Sequence, residues 1–520
     1  MKRRDFLKSA TLTGLATAGY FSSTMFAAAQ GRKTLTLAYP TSFPSLDPST
    51  SFSNDNAVMA NCYETLTRYI PDPETGSGTV SPLLAEKWES ADEGRTWTFH
   101  LRSGVTFDDG APLNAEAVKK SIERTKTLAG GASFIWDAVE QIETPDDMTV
   151  VLKLAYAQPM DVTVSAGYAA WILSPAAVEQ DNEWFNAGNS GGTGPYKIMR
   201  NEPGQRCILA RNENYWGGRD EDRFDNVVLE ISEDPVLAQS MLESGQADWT
   251  YGLPYENLER MESNPDLDVV VNPSFQNLVG FMNTKKAPLD NVDVRRALAM
   301  SFPYDDVVGA GTNGLGSRAR GAIPPGIWGH DPEAPMAMTN LEEAKSILEA
   351  TGVTDLELTL TYFNGDKLEA LASELWRANL ATIGVKMNLQ PMSWEAQWDL
   401  AKSDPANAQD IFMFYWWPTY VTPYDYLLNM FRSEDEPIYN LGYYSNPEFD
   451  ANLDAAHELS ASDRAASEQM FRDTQRMLIA DYPAVFIMDL PNVHVVRSDI
   501  KGYVDNPAYA HVVFSDELSK

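Results

Sequence analysis

Residues 340–389 read NLEEAKSILEATGVTDLELTLTYFNGDKLEALASELWRANLATIGVKMNL, and the hydrophobic period of this stretch changes three times. Asn340 followed by Glu343 has the form of a capping box, and Ala344, Ile347 and Leu348 make one apolar helical face that Gly352 closes. Leu356, Leu358, Leu360 and Tyr362 then alternate with Glu357, Thr359 and Thr361, the period of a strand with one buried face. A second helix carries Leu368, Leu371, Leu375 and Ile383 to Gly384, after which Val385, Met387 and Leu389 alternate again. Two strands joined through a helix at this spacing form a parallel crossover, so the fold class is α/β.

The same pattern extends in both directions. A short strand is expected at 34–38, a helix at about 54–69, and a half-buried strand around Trp97, Phe99 and Leu101. Asp108, Asp109 and Gly110 make a turn, and Asn114 caps a helix expected to bury Val118, Ile122 and Leu128. Towards the C-terminus a helix over 463–481, with Met470, Thr474, Met477 and Leu478 inward, leads into a strand at 484–488. No internal repeat or low-complexity linker interrupts the chain.

Its beginning reads as a targeting segment. MKRRDFLK places Arg3 and Arg4 ahead of a mildly apolar stretch broken by Gly14, Thr17, Gly19, Ser22 and Ser23, the pattern of a twin-arginine signal peptide over 1–29. Ala27, Ala28 and Ala29 suit a signal peptidase, with cleavage before Gln30. The apolar stretch is too polar to anchor in a bilayer, where about 20 apolar residues are needed, and the longest later apolar run, 411–417, fits a buried strand. The remaining chain exceeds what one core supports, so several domains are expected.

A formal net charge of −34 repels phosphates and anionic lipids, which disfavours nucleic-acid and membrane-surface partners. Cys62 and Cys207 leave room for one bridge at most and exclude a disulfide framework. Neither follows the signal segment, so a lipid anchor is not expected. The search for chemistry finds little. His100, His330, His457, His494 and His511 lack metal-ligand spacing, and no nucleophile elbow or phosphate loop occurs. Gly314, Gly316 and Ala319 follow Gly309 and Gly311 in a glycine-rich stretch that reads as a flexible loop. No cofactor or metal is expected.

The positive signal is aromatic. Tyr415, Trp416, Trp417, Tyr420, Tyr424 and Tyr426 crowd a segment interrupted by Pro418 and Pro423, where a central strand cannot run. Rigid rings with polar tips suit a cleft that encloses a ligand at modest entropic cost, although the run 411–415 also reads as core.

Several segments in fixed order resemble the peptide, nickel and opine class of ABC-importer receptors, solute-binding family 5. They are Ser45 to Pro48, then SPLLAEKWESADEGRTWTFHLRSGVTFDDGAPLNAEAVKKSIER over 81–124, Gly192 to Tyr196, Arg211 and Asn212 with Tyr215 to Gly218, Gly245 and Asp248, VRRALA over 294–299 and AKSILEATG over 344–352. The resemblance implies a bilobal periplasmic-binding-protein-like fold (type II, cluster C) with an extra subdomain in lobe one. It divides the chain into lobe one at 30–68, 194–283 and 491–520, an inserted subdomain at 69–193, and lobe two at 284–490. The motifs themselves are expected to be scaffold.

By the same resemblance the protein is a periplasmic, non-enzymatic monomer that closes about a peptide or peptide-like solute and delivers it to an ABC permease, after export by the twin-arginine machinery. Oligosaccharide, opine and metal chelate remain alternatives within the fold, and a periplasmic hydrolase is the alternative outside it. Ligand contacts are expected from Trp416, Trp417 and Tyr420, with Thr419 and Asp425 as polar partners and Phe43 and Ser45 from the opposite lobe. Thr419 stands where oligopeptide receptors carry the aspartate that pairs with the ligand's α-ammonium, so a hydroxyl replaces a charge-assisted partner.

Overall fold

The computed structural model describes residues 33–72, 77–218, 220–435 and 437–520. Residues 1–29, read above as a signal peptide, lie outside them. No helix among the described residues is long and apolar enough to cross a membrane.

An 11-stranded mixed sheet organises the molecule. Its order is Lys386–Met392, Glu357–Phe363, Ile411–Trp416, Leu267–Met282, Ala484–Arg497, Trp249–Tyr251, Thr34–Tyr39, Asn226–Ile231, Arg206–Arg211 and Tyr196–Glu202, with Ser317–Arg318 paired to Ala484–Arg497 off this path. Glu357–Phe363 and Lys386–Met392 are parallel neighbours joined through the helix Lys367–Thr382, the crossover expected from the alternation. At the other end Thr34–Tyr39 runs parallel to both Asn226–Ile231 and Trp249–Tyr251.

The two long central strands pair antiparallel and link these ends. Their register breaks between Pro273 and Asn277, where Pro273 lies opposite Pro491 and Asn277 opposite Asp489. Two facing prolines bring no N–H to the ladder, so the ribbon loosens there. Residues 67–154 add a two-stranded ribbon, Thr67–Pro71 with Gly78–Pro82, and a four-stranded antiparallel sheet ordered Ala85–Ala91, Thr96–Leu101, Thr149–Leu154, Val139–Asp146, against which the helix Ala115–Leu128 packs.

The local signals mostly act as read. Asn340 Oδ1 accepts from Glu343 N at 3.1 Å while Asn340 Nδ2 donates to the Glu343 carboxylate, and Asn114 Oδ1 accepts from Ala117 N at 2.9 Å. Five readings need correction. The helix expected at 54–69 stops at Cys62, and Thr67–Pro71 is a strand, because Thr65, Thr67, Tyr69 and Ile70 favour extended backbone over a helix with no capping signal at its far end. Leu128 is 46% exposed at the last turn of its helix, where the chain has already left the sheet. The inward residues of Lys367–Thr382 are Leu368, Ala372, Trp376 and Leu380, with Leu371 and Leu375 on the flank, and Met470 and Met477 are likewise half-buried beside fully buried Thr474 and Leu478. Gly309 and Gly311 belong to the helix Tyr304–Thr312, and a Cβ on Gly311 would meet Leu368 Cδ1 at 2.3 Å, so this glycine permits helices to approach closely.

The shared motifs are joinery. Asp47, 1% exposed, accepts both guanidinium NH groups of Arg124 at 2.7 Å, and Arg124 also donates to the Gln180 carbonyl. Glu64 accepts from Tyr215 Oη and Trp216 Nε1; burial first, against these bonds, pushes its carboxyl up to about 7. A Cβ on Gly192 would lie 2.0 Å from the Cys62 carbonyl oxygen, so no larger residue fits. Cys62 and Cys207 are both buried as free thiols.

Candidate functional site

A cavity of about 530 Å³ opens where the two ends of the sheet face each other across the loosened ribbon. Thr41, Asn54, Tyr168 and the segment Tyr251 to Glu256 line it from one side, and Gly365 to Leu368, Leu371, Tyr415 and Trp417 from the other. Gln276, Leu490 and Pro491, at the register break, form its floor. Such a volume suits a ligand of drug or short-peptide size.

The two sides touch above it. Trp417 Nε1 donates to Tyr168 Oη at 3.3 Å, and the rings of Phe52 and Tyr439 stand 5.8 Å apart. Arg95 lies 3.6 Å from Glu458, and Arg464 3.7 Å from Asp161. The described state is therefore closed.

Asp366 is a half-buried carboxylate of this lining. It caps the helix Lys367–Thr382, its Oδ1 accepting from Glu369 N at 2.7 Å and from Tyr415 Oη at 2.9 Å. Burial raises its carboxyl above the usual range, opposed by those donors. No cation pairs with it among the described residues. The phenols of Tyr255 and Tyr415 lie in its field, and each is pushed up by burial first and by Asp366 second. A carboxylate held by neutral donors between aromatic rings has the chemistry to receive a cation. Glu256 and Lys367 complete the charged lining.

Of the seven residues singled out in the sequence, Trp417 lines this cavity. Trp416 is 4% exposed and packs on Phe414 and Tyr439. Tyr420 is 4% exposed in the core. Asp425, fully buried, accepts from Thr419 N at 2.9 Å and Asn429 Nδ2 at 3.0 Å, holding the turn before its own helix; burial lifts its carboxyl to about 7 against these bonds. Thr419 is buried on that turn. Phe43 packs edge-on against Tyr39, and Ser45 Oγ donates to Asn182 Oδ1. Those six lie outside the lining. Asp366, Tyr255, Tyr415 and Tyr168 are among the lining residues that the sequence did not single out as contacts. Among the described residues no group of three or more acidic, histidine or cysteine side chains could hold a metal.

Two lobes bridged by a paired ribbon, closed over a chamber with aromatic walls, define a binding protein of the bilobal periplasmic class. The family model for bacterial extracellular solute-binding proteins, family 5, matches residues 79–437, and the chain belongs to that family. It is 29% identical over 487 residues to a protein of Escherichia coli (strain K12) named a probable D,D-dipeptide-binding periplasmic protein, covering 91% of this chain and 92% of that one. A glutathione-binding protein of Pectobacterium atrosepticum is 26% identical over 487 residues, covering 91% of this chain and 90% of that one. The fold matches an ABC transporter-associated periplasmic binding protein of Helicobacter pylori, solved with the peptide STSA, with a TM-score of 0.81 at 22% identity over 95% of this chain and 99% of that one.

Proposed function

We propose that the protein captures a small peptide or peptide-like solute bearing an ammonium group and carries it, chemically unchanged, to its permease. The observation that carries this reading is Asp366, a cavity carboxylate with neutral partners and no countercharge of its own among the described residues. Peptide-class names among the relatives support it. In this reading Trp417 and Tyr255 flank the ligand, Asp366 receives its ammonium, and Lys367 offers the one cation of the lining to a carboxylate. The lobes open and close by bending the ribbon at Pro273–Asn277 and Asp489–Pro491, which would put the lobe boundaries there. The monomer reaches the periplasm by the twin-arginine route on the strength of Arg3 and Arg4.

A thermal-shift screen of the mature protein over dipeptides, tripeptides, opines, oligosaccharides and metal chelates tests the ligand class. A ligand at about 100 times its Kd adds roughly 2.7 kcal/mol. Dipeptides should raise Tm, their N-acetylated forms should not, and chromatography should recover them intact. Stabilisation by oligosaccharides alone, or recovery of cleaved peptide, would overturn the reading.

A further inference from the structure

One wall of the cavity hides a chain of titratable groups with no part in ammonium capture. His511 lines the cavity with its ring flat on Tyr251, centroids 3.8 Å apart and planes 12° from parallel. Its Nδ1 lies 3.3 Å from Nε2 of His494, whose Nδ1 lies 3.6 Å from Asp505 Oδ1. Asp505 is fixed in turn, its Oδ2 accepting from Asn492 Nδ2 at 2.8 Å. Trp249 lies nearly flat against His494 at 5.2 Å, and Tyr503 meets it edge-on at 5.8 Å. Tyr39 Oη donates to the His511 carbonyl at 3.0 Å and holds the residue at φ +55, a conformation a side chain of this size rarely adopts.

Asp505 Oδ1 and His494 Nδ1 stand just beyond hydrogen-bond length and neither has another partner among the described residues, so the carboxylate acts on the ring through its charge. That charge favours a proton on His494 Nδ1, which leaves the His494 Nε2 lone pair facing a proton on His511 Nδ1. His511 Nε2, which has no partner among the described residues, is left with a lone pair. Burial keeps both imidazoles neutral, pulling each down to about 3, with His494 adding to the effect on His511; burial raises Asp505 to about 6 against its bond from Asn492. The charged groups on the cavity side are Asp366, Glu256 and Lys367, two acids to one base and no arginine.

We propose that Asp505, His494 and His511 form a subsite that binds a carboxylate of the ligand together with one proton. The claim rests on the peptide-like reading above and adds a second recognition point to it. An incoming carboxylate would meet an acidic, poorly solvated wall. It becomes acceptable when a solvent proton joins Nε2 of His511, making that nitrogen a donor to the carboxylate, while Asp505 stabilises the imidazolium through His494. Because the free site lacks that proton and the occupied site holds it, affinity should rise as pH falls, up to about tenfold per pH unit.

Nitrogen-15 NMR of histidine-labelled mature protein, with sodium formate as the probe, tests the subsite. The free protein should show His494 and His511 as Nδ1–H tautomers, and formate should move His511 Nε2 towards the imidazolium position. Asp505→Asn should weaken that response, and His511→Gln, at a half-buried position, assigns the signal should the first variant fold poorly. A His511 Nε2–H tautomer in the free protein, or histidines silent to formate, would overturn the proposal. Silent histidines in a protein that binds dipeptides would sink the subsite and spare the peptide reading. A formate response without dipeptide binding would do the reverse.

Discussion

Trp417 bonds to Tyr168 across the cleft and walls the chamber at once, so its loss should be felt by the ligand first. Trp417→Ala is expected to weaken dipeptide affinity at least about tenfold, roughly 1.4 kcal/mol, while leaving the Tm of the unliganded protein nearly unchanged. Fluorescence titration and a melting curve decide it. Asp366→Asn preserves a good helix cap, so the fold should survive while affinity for an amine-bearing ligand drops and affinity for its N-acetyl analogue holds. Equal losses for both would move the ammonium elsewhere. Aromatic crowding around Pro418 points to Trp417, which the structure places in the cavity lining. Asp366 was hidden because DKLE at a helix start looks the same whether the carboxylate serves the backbone alone or a guest as well. Trp416, Tyr420 and Asp425 misled for the opposite reason: a turn that must bury its own polar groups uses the residue types that a binding loop uses.

Among elements, the link between the segment at Asp47 and the helix Ala115–Leu128 is held by one buried ion pair. Arg124→Met should strand the Asp47 carboxylate in a dry site and cost about 3–5 kcal/mol, read as a lowered denaturation midpoint. A change under about 1 kcal/mol would show that water reaches the pair. The crossover and its caps were legible because Asn340 with Glu343, Gly352 and Gly384 each act on backbone within a few residues of themselves. The strand Thr67–Pro71 was not, since its partner Gly78–Pro82 and its extended residues outweigh a helical pattern only in tertiary context. Gly311 escaped for the same reason, its contact with Leu368 being distant in sequence.

For the molecule as a whole, Asp489 ties stability to pH at the register break of the ribbon. It is 7% exposed, lies opposite Asn277 at the register break, and burial lifts its carboxyl from 3.8 to about 8. A raised carboxyl stabilises the fold fully below the unfolded pKa and loses that contribution as pH climbs towards the folded one. Denaturation of the native protein and Asp489→Asn should therefore diverge in favour of the variant between about 4 and about 8, then run parallel. Parallel curves throughout would mean that Asp489 is ionised without penalty.

The ion pairs that meet across the cleft have a consequence for cargo release. Arg95, Glu458 and Arg464 keep roughly half their side-chain surface in water, and such contacts contribute about 0–1 kcal/mol each. Nothing that weak can clamp the halves by itself, so the adhesion that shuts them falls to the Trp417–Tyr168 bond, the Phe52–Tyr439 contact and the passenger. A docking partner able to pry the rims apart by a few kcal/mol could then empty the vessel without cutting a bond or burning cofactor inside it.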